Sequence, residues 1–387
     1  MNFAHENELL FSVARCAVPD VRQQLDWDYV VTTARAHGLL PLLQKYLTNT
    51  TVPGHVLSCL KREAVANSQS MLHLVGKQLR VYNAFQEHGI PVAIFKGAIL
   101  AQMAYGEMCL RQAGDIDVLI NRRDFAQARG LLESLGYEMT PRLTPAQLAS
   151  HLRNNCEIQF MRDEWFTVVD LHWDLAPRSF SFGLKADEVM SRLQTVSLAG
   201  ATVRTFGSED LALYQAMHGA KHLWRRLEWI SSLAESLRET PELDWDTVIN
   251  RAANARATRM LALGLRLVEQ FSEVPVPAAS VDKDGTMQTM AAGIRAQIFN
   301  TFGYANSNET NLYNLRIMDR KRDALISALR SIFVPTLPDW QALDLPSSLH
   351  PLYYAYRPLR LSKVYTLSLW GKLRRSFVAV RPIAAVI

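Results

Sequence analysis

The chain has 387 residues, of which 49% are hydrophobic and 20% are charged, and its formal net charge at pH 7 is +5. This composition excludes a disordered or fibrous protein, and the length allows two or three domains with cores of their own. The four cysteines are scattered without a C-x-x-C pair, which argues against a zinc knuckle or a disulfide framework.

The N-terminal region predicts helices. Its first residues, "MNFAHENELLFSVARC", carry acidic side chains where a secretory signal has basic ones, and no uncharged apolar run reaches the length of a membrane span. We therefore expect a soluble, cytoplasmic protein without a membrane partner. The segment "DWDYVVTTARAHGLLPLLQKYL" has an apolar stripe of helical period with Asp26 or Asp28 as its cap, and Gly89 ends a second helical stripe, "SQSMLHLVGKQLRVYNAFQEHG". Residues 1–88 are the predicted N-terminal helical region.

The periodicity changes in the middle of the chain, over residues 89–207. The short apolar burst "IPVAIFKG" is typical of a buried strand before Gly97, and "AILAQMAYG" predicts a helix that ends at Gly106. A second strand, "GDIDVLI", precedes a helix that ends at Gly136, and "CEIQFMRDEWFTVVDLHWDL" predicts two strands joined at "RDE". These segments predict an α+β fold whose core is a small mixed sheet, flanked by helical regions on either side in sequence.

The helical period returns at Ser208, in "SEDLALYQAMHGAKHLWRRLEWISSLAESL" and "RATRMLALGLRLVEQF", so residues 208–387 are the predicted C-terminal helical region. No acidic residue follows Asp344, whereas seven basic ones do: Arg357, Arg360, Lys363, Lys372, Arg374, Arg375 and Arg381. This basic tail is either a solvated face or a contact for a phosphate-rich partner such as RNA or a membrane surface. The first interpretation is favoured because packing segments such as "LYYAYRPL" interrupt the charges.

Two aspartates stand in the second predicted strand, where apolar residues are expected. Because side chains alternate along a strand, Asp115 and Asp117 point to the same face about 7 Å apart, while Ile116, Val118 and Ile120 form the buried face. Two like charges repel each other unless a cation lies between them, and paired carboxylates suit Mg²⁺. Alternatively, both aspartates cap a turn or face solvent, since a bare D-x-D pattern is common by chance.

The neighbouring segments supply what a phosphate group needs. In "FKGAILAQMAY" a strand, a glycine turn and a helix follow one another, which places backbone N–H groups beside the aspartates. Lys96, directly before Gly97, adds a positive charge for the outer phosphates. In "VVDLHWDL", Asp170 is a third carboxylate and His172 shares its face. Three carboxylates from two neighbouring strands predict a site for two Mg²⁺ ions and a nucleoside triphosphate.

Other polar residues could contribute to the same site. Arg111 could reach a phosphate, or it could be a surface arginine before a turn. In "HGAKHLWRR", His218 and His222 lie four apart on one helical face with Lys221 beside them. A zinc site is the less favoured interpretation because the glutamate of H-E-x-x-H is missing. Two others stay open: a polar cluster that contacts nucleotide phosphates or the acceptor, and a purely structural pair of histidines. The nearby tryptophans are expected to be packing residues: Trp173, Trp224 and Trp229.

The pattern "FKGAILAQMAYGEMCLRQAGDIDVLI", followed about fifty residues later by "VVDLHWDL", resembles the uncharacterised nucleotidyltransferase family of the DNA polymerase β superfamily. Segments outside the core resemble that family too: "DWDYVVTTARAHGLLPLL", "HGAKHLWRRLEWISSLA" and "LPDWQALDLPSSLHPLYYAYRPLRL". The resemblance implies that the sheet is a polymerase β-like palm. It also implies that Gly97 lies in the phosphate-binding turn, that Asp115 and Asp117 bind metal, and that Asp170 is the third acid.

Two residues depart from the family pattern. The usual Gly-Ser turn is here Lys96-Gly97-Ala98, so Lys96 replaces the serine hydroxyl in our prediction, and Ser232 stands where family members often have an aspartate. The expected activity is Mg²⁺-dependent transfer of a nucleoside monophosphate to an acceptor hydroxyl, with release of pyrophosphate. The acceptor hydroxyl could belong to a small molecule, a protein or an RNA 3′ end, since all three are compatible with the site. The alternative is an inactive nucleotide-binding or scaffolding protein on the same fold.

Overall fold

A computed structural model describes residues 3–21, 24–47, 52–162, 167–300 and 313–364. The predicted "RDE" connection lies partly outside these ranges, and so do four residues of the basic tail: Lys372, Arg374, Arg375 and Arg381. None of the helices within these ranges is long and apolar enough to cross a membrane.

Four helices precede the sheet: α1 (Ala4–Ala14), α2 (Trp27–Ala36), α3 (Leu40–Leu47) and α4 (Gly54–Glu87). Asp26 caps α2 by accepting a hydrogen bond from the backbone N–H of Tyr29. The predicted single stripe after this cap is two helices because Gly38 has φ of +72°, and a Cβ there would meet the side chains of Arg226 and Glu228.

The central segment forms one five-stranded sheet in the order β1-β2-β5-β4-β3. Its strands are β1 (Val92–Ile94), β2 (Asp115–Ile120), β3 (Glu138–Thr140), β4 (Glu157–Arg162) and β5 (Thr167–His172). Strands β2 and β5 are parallel, and the other three pairs are antiparallel. The helices among these strands are α5 (Gly97–Tyr105), α6 (Phe125–Ser134) and α7 (Pro145–Asn154). Strand β3 and helix α7 were not predicted.

One face of this sheet is apolar. Its inward residues are fully or almost fully buried: Ile116, Val118, Ile120, Ile158, Phe160, Val169 and Leu171. They pack in one cluster with residues of α4 and α6, such as Phe85 and Leu132. Because side chains alternate along a strand, this packing turns Asp115 and Asp117 to the opposite face.

The remaining elements follow the sheet. A second, two-stranded sheet is formed by β6 (Gln194–Leu198) and β7 (Ala201–Thr205), which the sequence did not predict. The helices are α8 (Ala186–Met190), α9 (Ser208–Lys221), α10 (Leu227–Arg238), α11 (Trp245–Asn254), α12 (Thr258–Phe271), α13 (Ala278–Val281), α14 (Thr286–Gln297), α15 (Lys321–Phe333) and α16 (Leu337–Ala342). Residues 313–317 and 353–364 are also helical.

The helices before and after the sheet share a second apolar core. It contains Leu10 of α1 and Leu43 of α3 together with Ile230 of α10 and Leu263 of α12. Tyr105, at the end of α5, adds a polar link to α10 by donating to Ser231 Oγ at 3.1 Å. The prediction of an α+β fold with a small mixed sheet flanked by helical regions is confirmed.

Candidate active site

The parallel pairing of β2 and β5 sets two aspartates side by side. Asp117 lies opposite Asp170 in the register of the two strands, and Asp115 lies opposite Val168. Residues two apart on a strand share a face, so Asp115, Asp117 and Asp170 all point away from the apolar core. The predicted pairing of "VVDLHW" beside "GDIDVLI" is therefore confirmed, and all three predicted carboxylates lie on one side of the sheet.

Asp117 is the most enclosed of the three, with 3% of its side chain exposed. Its Oδ1 accepts a hydrogen bond from Lys96 Nζ at 2.7 Å and lies 2.9 Å from His172 Nε2. Burial opposes ionisation of this carboxyl, but Lys96 and His172 outweigh burial and hold the pKa of Asp117 below its usual range. Asp117 is therefore a carboxylate at neutral pH.

Among the described residues, neither of the other two aspartates has a hydrogen-bonded cation. Asp170 is buried, and its Oδ1 has no hydrogen-bond partner within the part of the chain that the structure describes. Burial, followed by the charge of Asp117, raises the pKa of Asp170 to about 6. The same two causes raise the pKa of Asp115. A buried oxygen without a partner is costly unless a ligand satisfies it, so this corner of the site is suited to a cation or a donor group.

His172 connects the carboxylates to a residue that sequence reasoning missed. Its Nδ1 lies 3.0 Å from Glu157 Oε2, on the side away from Asp117. Glu157 lies opposite His172 in the β4–β5 register. Burial tends to raise the pKa of Glu157, but the charges of His172 and Lys221 outweigh burial and lower this pKa. The sequence signal was a charged residue in strand β4, but its partner depends on a register that the hairpin sequence alone does not fix.

The turn between β1 and α5 faces Asp117. Lys96 precedes the first residue of α5, Gly97, which has φ of +58°, a backbone conformation that favours glycine. Within the described part of the chain no side-chain cap hydrogen bond is made at the N-terminus of this helix, so its first N–H groups are available to an anion. Tyr214 of α9 lies beside Lys96. Burial raises the pKa of Tyr214, and the positive charge of Lys96 only partly offsets this rise.

The donor set fits a divalent cation. Asp117, Asp170 and His172 each bring one ligand atom, and these atoms all lie within 4.8 Å of one another. Asp170, whose Oδ1 has no hydrogen-bond partner among the described residues, belongs to this group, and carboxylate oxygens are the ligands that Mg²⁺ prefers. A second group of Cys156, Glu157 and His172 is equally close. However, burial raises the pKa of Cys156 to about 12, and its protonated thiol is a poor metal ligand.

The structure places Arg111 in a buried ion pair. Its Nε lies 2.7 Å from Oε1 of Glu228, and Oε2 of Glu228 lies 3.0 Å from the guanidinium of Arg226. The backbone N–H of Glu228 also donates a hydrogen bond to the carbonyl oxygen of His37 at 3.2 Å. This ion pair links the sheet region to α10, and the contact of Arg111 with a phosphate stays a prediction.

The "HGAKH" segment lies at the end of α9, beside Lys96. The rings of His218 and His222 are 4.7 Å apart, and the ring of Tyr214 is 5.9 Å from His218. Burial and the nearby charges of Lys221 and Lys96 lower the pKa of His222 to about 4, and burial lowers that of His218 well below its usual range. Both histidines are therefore neutral at physiological pH. Tyr214, four residues before His218, was missed, although its helical spacing was a usable signal.

A known protein family matches most of the chain. A family model described as "Uncharacterised nucleotidyltransferase" matches residues 23–273, which include every predicted site residue but not the C-terminal segment "LPDWQALDLPSSLHPLYYAYRPLRL". No curated protein sequence matches the chain. Among solved structures, the antibiotic-resistance factor ANT(2'')-Ia is 15% identical, and the match covers 48% of this chain and 90% of that chain with a TM-score of 0.32.

Proposed function

Because the chain belongs to the family of uncharacterised nucleotidyltransferases, we propose that it transfers a nucleoside monophosphate from a nucleoside triphosphate to an acceptor hydroxyl and releases pyrophosphate. The observation that carries this proposal is the register pair Asp117 and Asp170, with Asp115 on the same face and Lys96 in contact with Asp117. The three carboxylates provide negative charge that can bind a metal ion, and Lys96 beside them provides positive charge that can bind a phosphate.

Asp115, Asp117 and Asp170 are the residues that would hold Mg²⁺, with two ions as the expected number. Asp117 and Asp170 are supported by the short distance between their ligand atoms, and Asp115 by its place two residues from Asp117 on the same face. Bound Mg²⁺ supplies neutralisation of the phosphate charge that builds up during transfer, and it lowers the pKa of a coordinated hydroxyl.

The phosphates would bind at the turn before α5. The uncapped N–H groups at the start of this helix and the ammonium group of Lys96 both favour an anion. We propose that Lys96 exchanges its contact with Asp117 for the outer phosphates, which would compensate for the serine hydroxyl of the superfamily's usual Gly-Ser turn. His172 keeps its contact with Asp117 and holds that carboxylate in place.

The reaction replaces a phosphoanhydride bond at the α-phosphorus by a phosphoester bond. The acceptor oxygen bonds to the α-phosphorus, the bond from this phosphorus to the oxygen that bridges to the β-phosphorus breaks, and pyrophosphate leaves. The hydroxyl proton goes to Asp170 Oδ1, the oxygen without a partner. A carboxylate beside the acceptor oxygen can take this proton as a general base.

Incubation with each of the four α-labelled nucleoside triphosphates, Mg²⁺ and a cell extract tests this proposal. We expect pyrophosphate release and transfer of label to an acceptor, both abolished in the Asp117→Asn variant. Because nucleoside triphosphates and Mg²⁺ are abundant in the cytoplasm, we place the reaction there. Label that stays entirely in the triphosphate with every nucleotide and every extract fraction would show instead a nucleotide-binding protein without turnover.

A further inference from the structure

Three aromatic rings form a cluster next to the proposed triphosphate site. Trp229 of α10 has its ring 5.6 Å from that of His218 and 5.3 Å from that of His222. All three side chains are half-buried, so part of the cluster is open to solvent. Tyr214 lies near both this cluster and Lys96. Its ring is 5.9 Å from that of His218, and the positive charge of Lys96 is close enough to act against the rise of its pKa.

The chain folds sharply to build this cluster. Helix α9 ends at Lys221 with His222 as its C-cap residue, and the next two residues, Leu223 and Trp224, have positive φ of 59° and 50°. Trp224 is fully buried against Gly219, where any Cβ would overlap its ring. This turn brings α10 back along α9 so that Trp229 reaches the two histidines. Two non-glycine residues in the left-handed region are strained, and such strain is concentrated at functional sites.

The cluster is uncharged but lies among cations. Burial lowers the pKa of both His218 and His222, so their rings are neutral hydrogen-bonding groups at physiological pH. The charges of Lys96 and Lys221 lie close enough to contribute to that effect. Arg226 lies over the Trp229 ring at 6.0 Å from its centroid. An uncharged aromatic cluster beside a phosphate-binding lysine suits a planar, uncharged ring that carries a phosphate chain, because the face of the Trp229 indole can stack on that ring.

We propose that Trp229 and His222 form the surface on which the nucleobase of the nucleoside triphosphate stacks. This inference rests on the proposed function, in which Lys96 and the N-terminus of α5 hold the phosphates. The continuous series of side chains from Asp117 through Lys96, Tyr214 and His218 to Trp229 places the base surface next to the triphosphate site. Every base has a π-face, and stacking on an aromatic side chain strengthens binding.

The competing explanation is that Trp229 only packs between helices. Trp229 does contact the apolar core at one edge, as does Trp245 of α11. Trp245 is also half-buried, but the described aromatic contacts of the chain place no histidine or other ring against it. Trp245 is therefore a matched control for the loss of a half-buried indole.

The test compares two ligands by isothermal titration calorimetry in the presence of Mg²⁺: a nucleoside triphosphate, and inorganic tripolyphosphate, which has no base. We expect Trp229→Leu to weaken nucleoside triphosphate binding by about tenfold, as stacking losses commonly do, and to leave tripolyphosphate binding unchanged. Trp229→Phe restores much of the nucleotide affinity because it restores a ring. Trp245→Leu leaves the affinity for both ligands unchanged.

Three results overturn the inference itself. If Trp229→Leu binds the nucleotide as well as the wild type does, Trp229 does not contact the base. If that variant loses both ligands equally, Trp229 acts through the fold or the phosphates. A wild-type protein that binds tripolyphosphate but no nucleotide would also overturn the base surface. A wild-type protein that binds neither ligand would instead show the failure of the proposed function, and the inference would fall with it.

Discussion

Lys96 Nζ lies 2.7 Å from Asp117 Oδ1, so one of the proposed metal ligands already has a counter-charge supplied by the protein. A cation that binds at Asp117 must compete with this ammonium group. Phosphates offer Lys96 another anion, so binding of the nucleotide would free Asp117 for the metal. The two ligands should therefore bind cooperatively, each favouring the other by the same factor.

Replacing Lys96 with methionine should separate the two binding events. We expect Lys96→Met to bind Mn²⁺ about tenfold more tightly in the absence of nucleotide, a difference of ~1.4 kcal/mol, because the competitor is gone. The same variant should bind tripolyphosphate more weakly. Titration of Mn²⁺ followed by electron paramagnetic resonance measures the first effect, and calorimetry measures the second.

The matched control for this variant is Lys45→Met, since Lys45 also pairs with a carboxylate, Glu107, at 2.6 Å but at the surface. It should leave both affinities unchanged. Unaltered Mn²⁺ binding in Lys96→Met would mean that Lys96 and the metal do not share Asp117.

Removing the charge of Asp115 and of Asp117 should abolish transfer in both cases but change stability in different directions. Asp117→Asn leaves the half-buried Lys96 without its carboxylate, and breaking one side of such a pair costs ~3 kcal/mol. Asp115 has no hydrogen-bonded cation among the described residues, and burial and Asp117 raise its pKa, so Asp115→Asn should be neutral or stabilising. Urea denaturation in the presence of a chelator measures both changes. Equal destabilisation by the two substitutions would contradict the assignment of Lys96 to Asp117.

Much of the fold follows from the sequence because its elements are local. The apolar burst before Gly97, the alternation in "GDIDVLI" and the glycines after α5 and α6 are short-range signals, and the elements lie where they predict. The break between α2 and α3 is different. Gly38 sits in an ordinary helical stripe, and its backbone is turned by packing against Arg226 and Glu228, which lie nearly two hundred residues away.

The candidate site follows the same division between local and long-range information. Asp115, Asp117 and Asp170 were recognisable because carboxylates are out of place in apolar strands. The contact of Lys96 with Asp117 and that of Glu157 with His172 depend on strand order and register, which side-chain type alone does not determine. For this reason the sequence did not reveal that Lys96 neutralises Asp117, or that Oδ1 of Asp170 has no hydrogen-bond partner among the described residues.

Asp170 should make stability in the absence of metal depend on pH. Its pKa is about 6 in the folded protein, above the ordinary value of 3.8, so the folded state holds its proton more tightly than the unfolded state. The stabilisation from this proton is complete below pH 3.8 and is lost as the pH rises to about 6, at a cost of at most ~3 kcal/mol. We therefore expect Asp170→Asn, with chelator present, to be more stable than the wild type at pH 7.5.

The comparison must be repeated at lower pH to exclude a general effect of the substitution. The stability difference between Asp170→Asn and the wild type should shrink steadily as the pH falls from 7 to 4. Saturating Mg²⁺ should stabilise the wild type at pH 7.5 much more than the variant. A difference that stays constant with pH would show that the Asp170 carboxyl does not titrate in this range.

Gly219 in "HGAKH" should be required for folding rather than for chemistry. Any Cβ at this position would overlap the ring of the fully buried Trp224, which has no room to move. Gly219→Ala should therefore lower the melting temperature sharply. Gly293, in α14, has nothing within 4 Å of an added Cβ, so Gly293→Ala should be neutral or slightly stabilising because alanine favours the helix. Wild-type stability in Gly219→Ala would refute the tight turn that positions His222 and Trp229.

Asp170→Ala should separate binding from catalysis. Asp115, Asp117 and the N-terminus of α5 stay in place, so the affinity for the nucleoside triphosphate should stay within a few fold of the wild type. Turnover should fall by at least ~100-fold, because the residue that accepts the acceptor proton and completes the metal-binding set is gone. Calorimetry gives the affinity, and single-turnover transfer of label gives the rate.

Asp174→Ala is the control, since Asp174 also has a pKa raised by burial but its Oδ1 already accepts a hydrogen bond from the backbone N–H of Leu175. If Asp170→Ala kept its turnover rate, or if Asp174→Ala lost it equally, the pairing of Asp170 with Asp117 would not be what makes this sheet face a catalytic site.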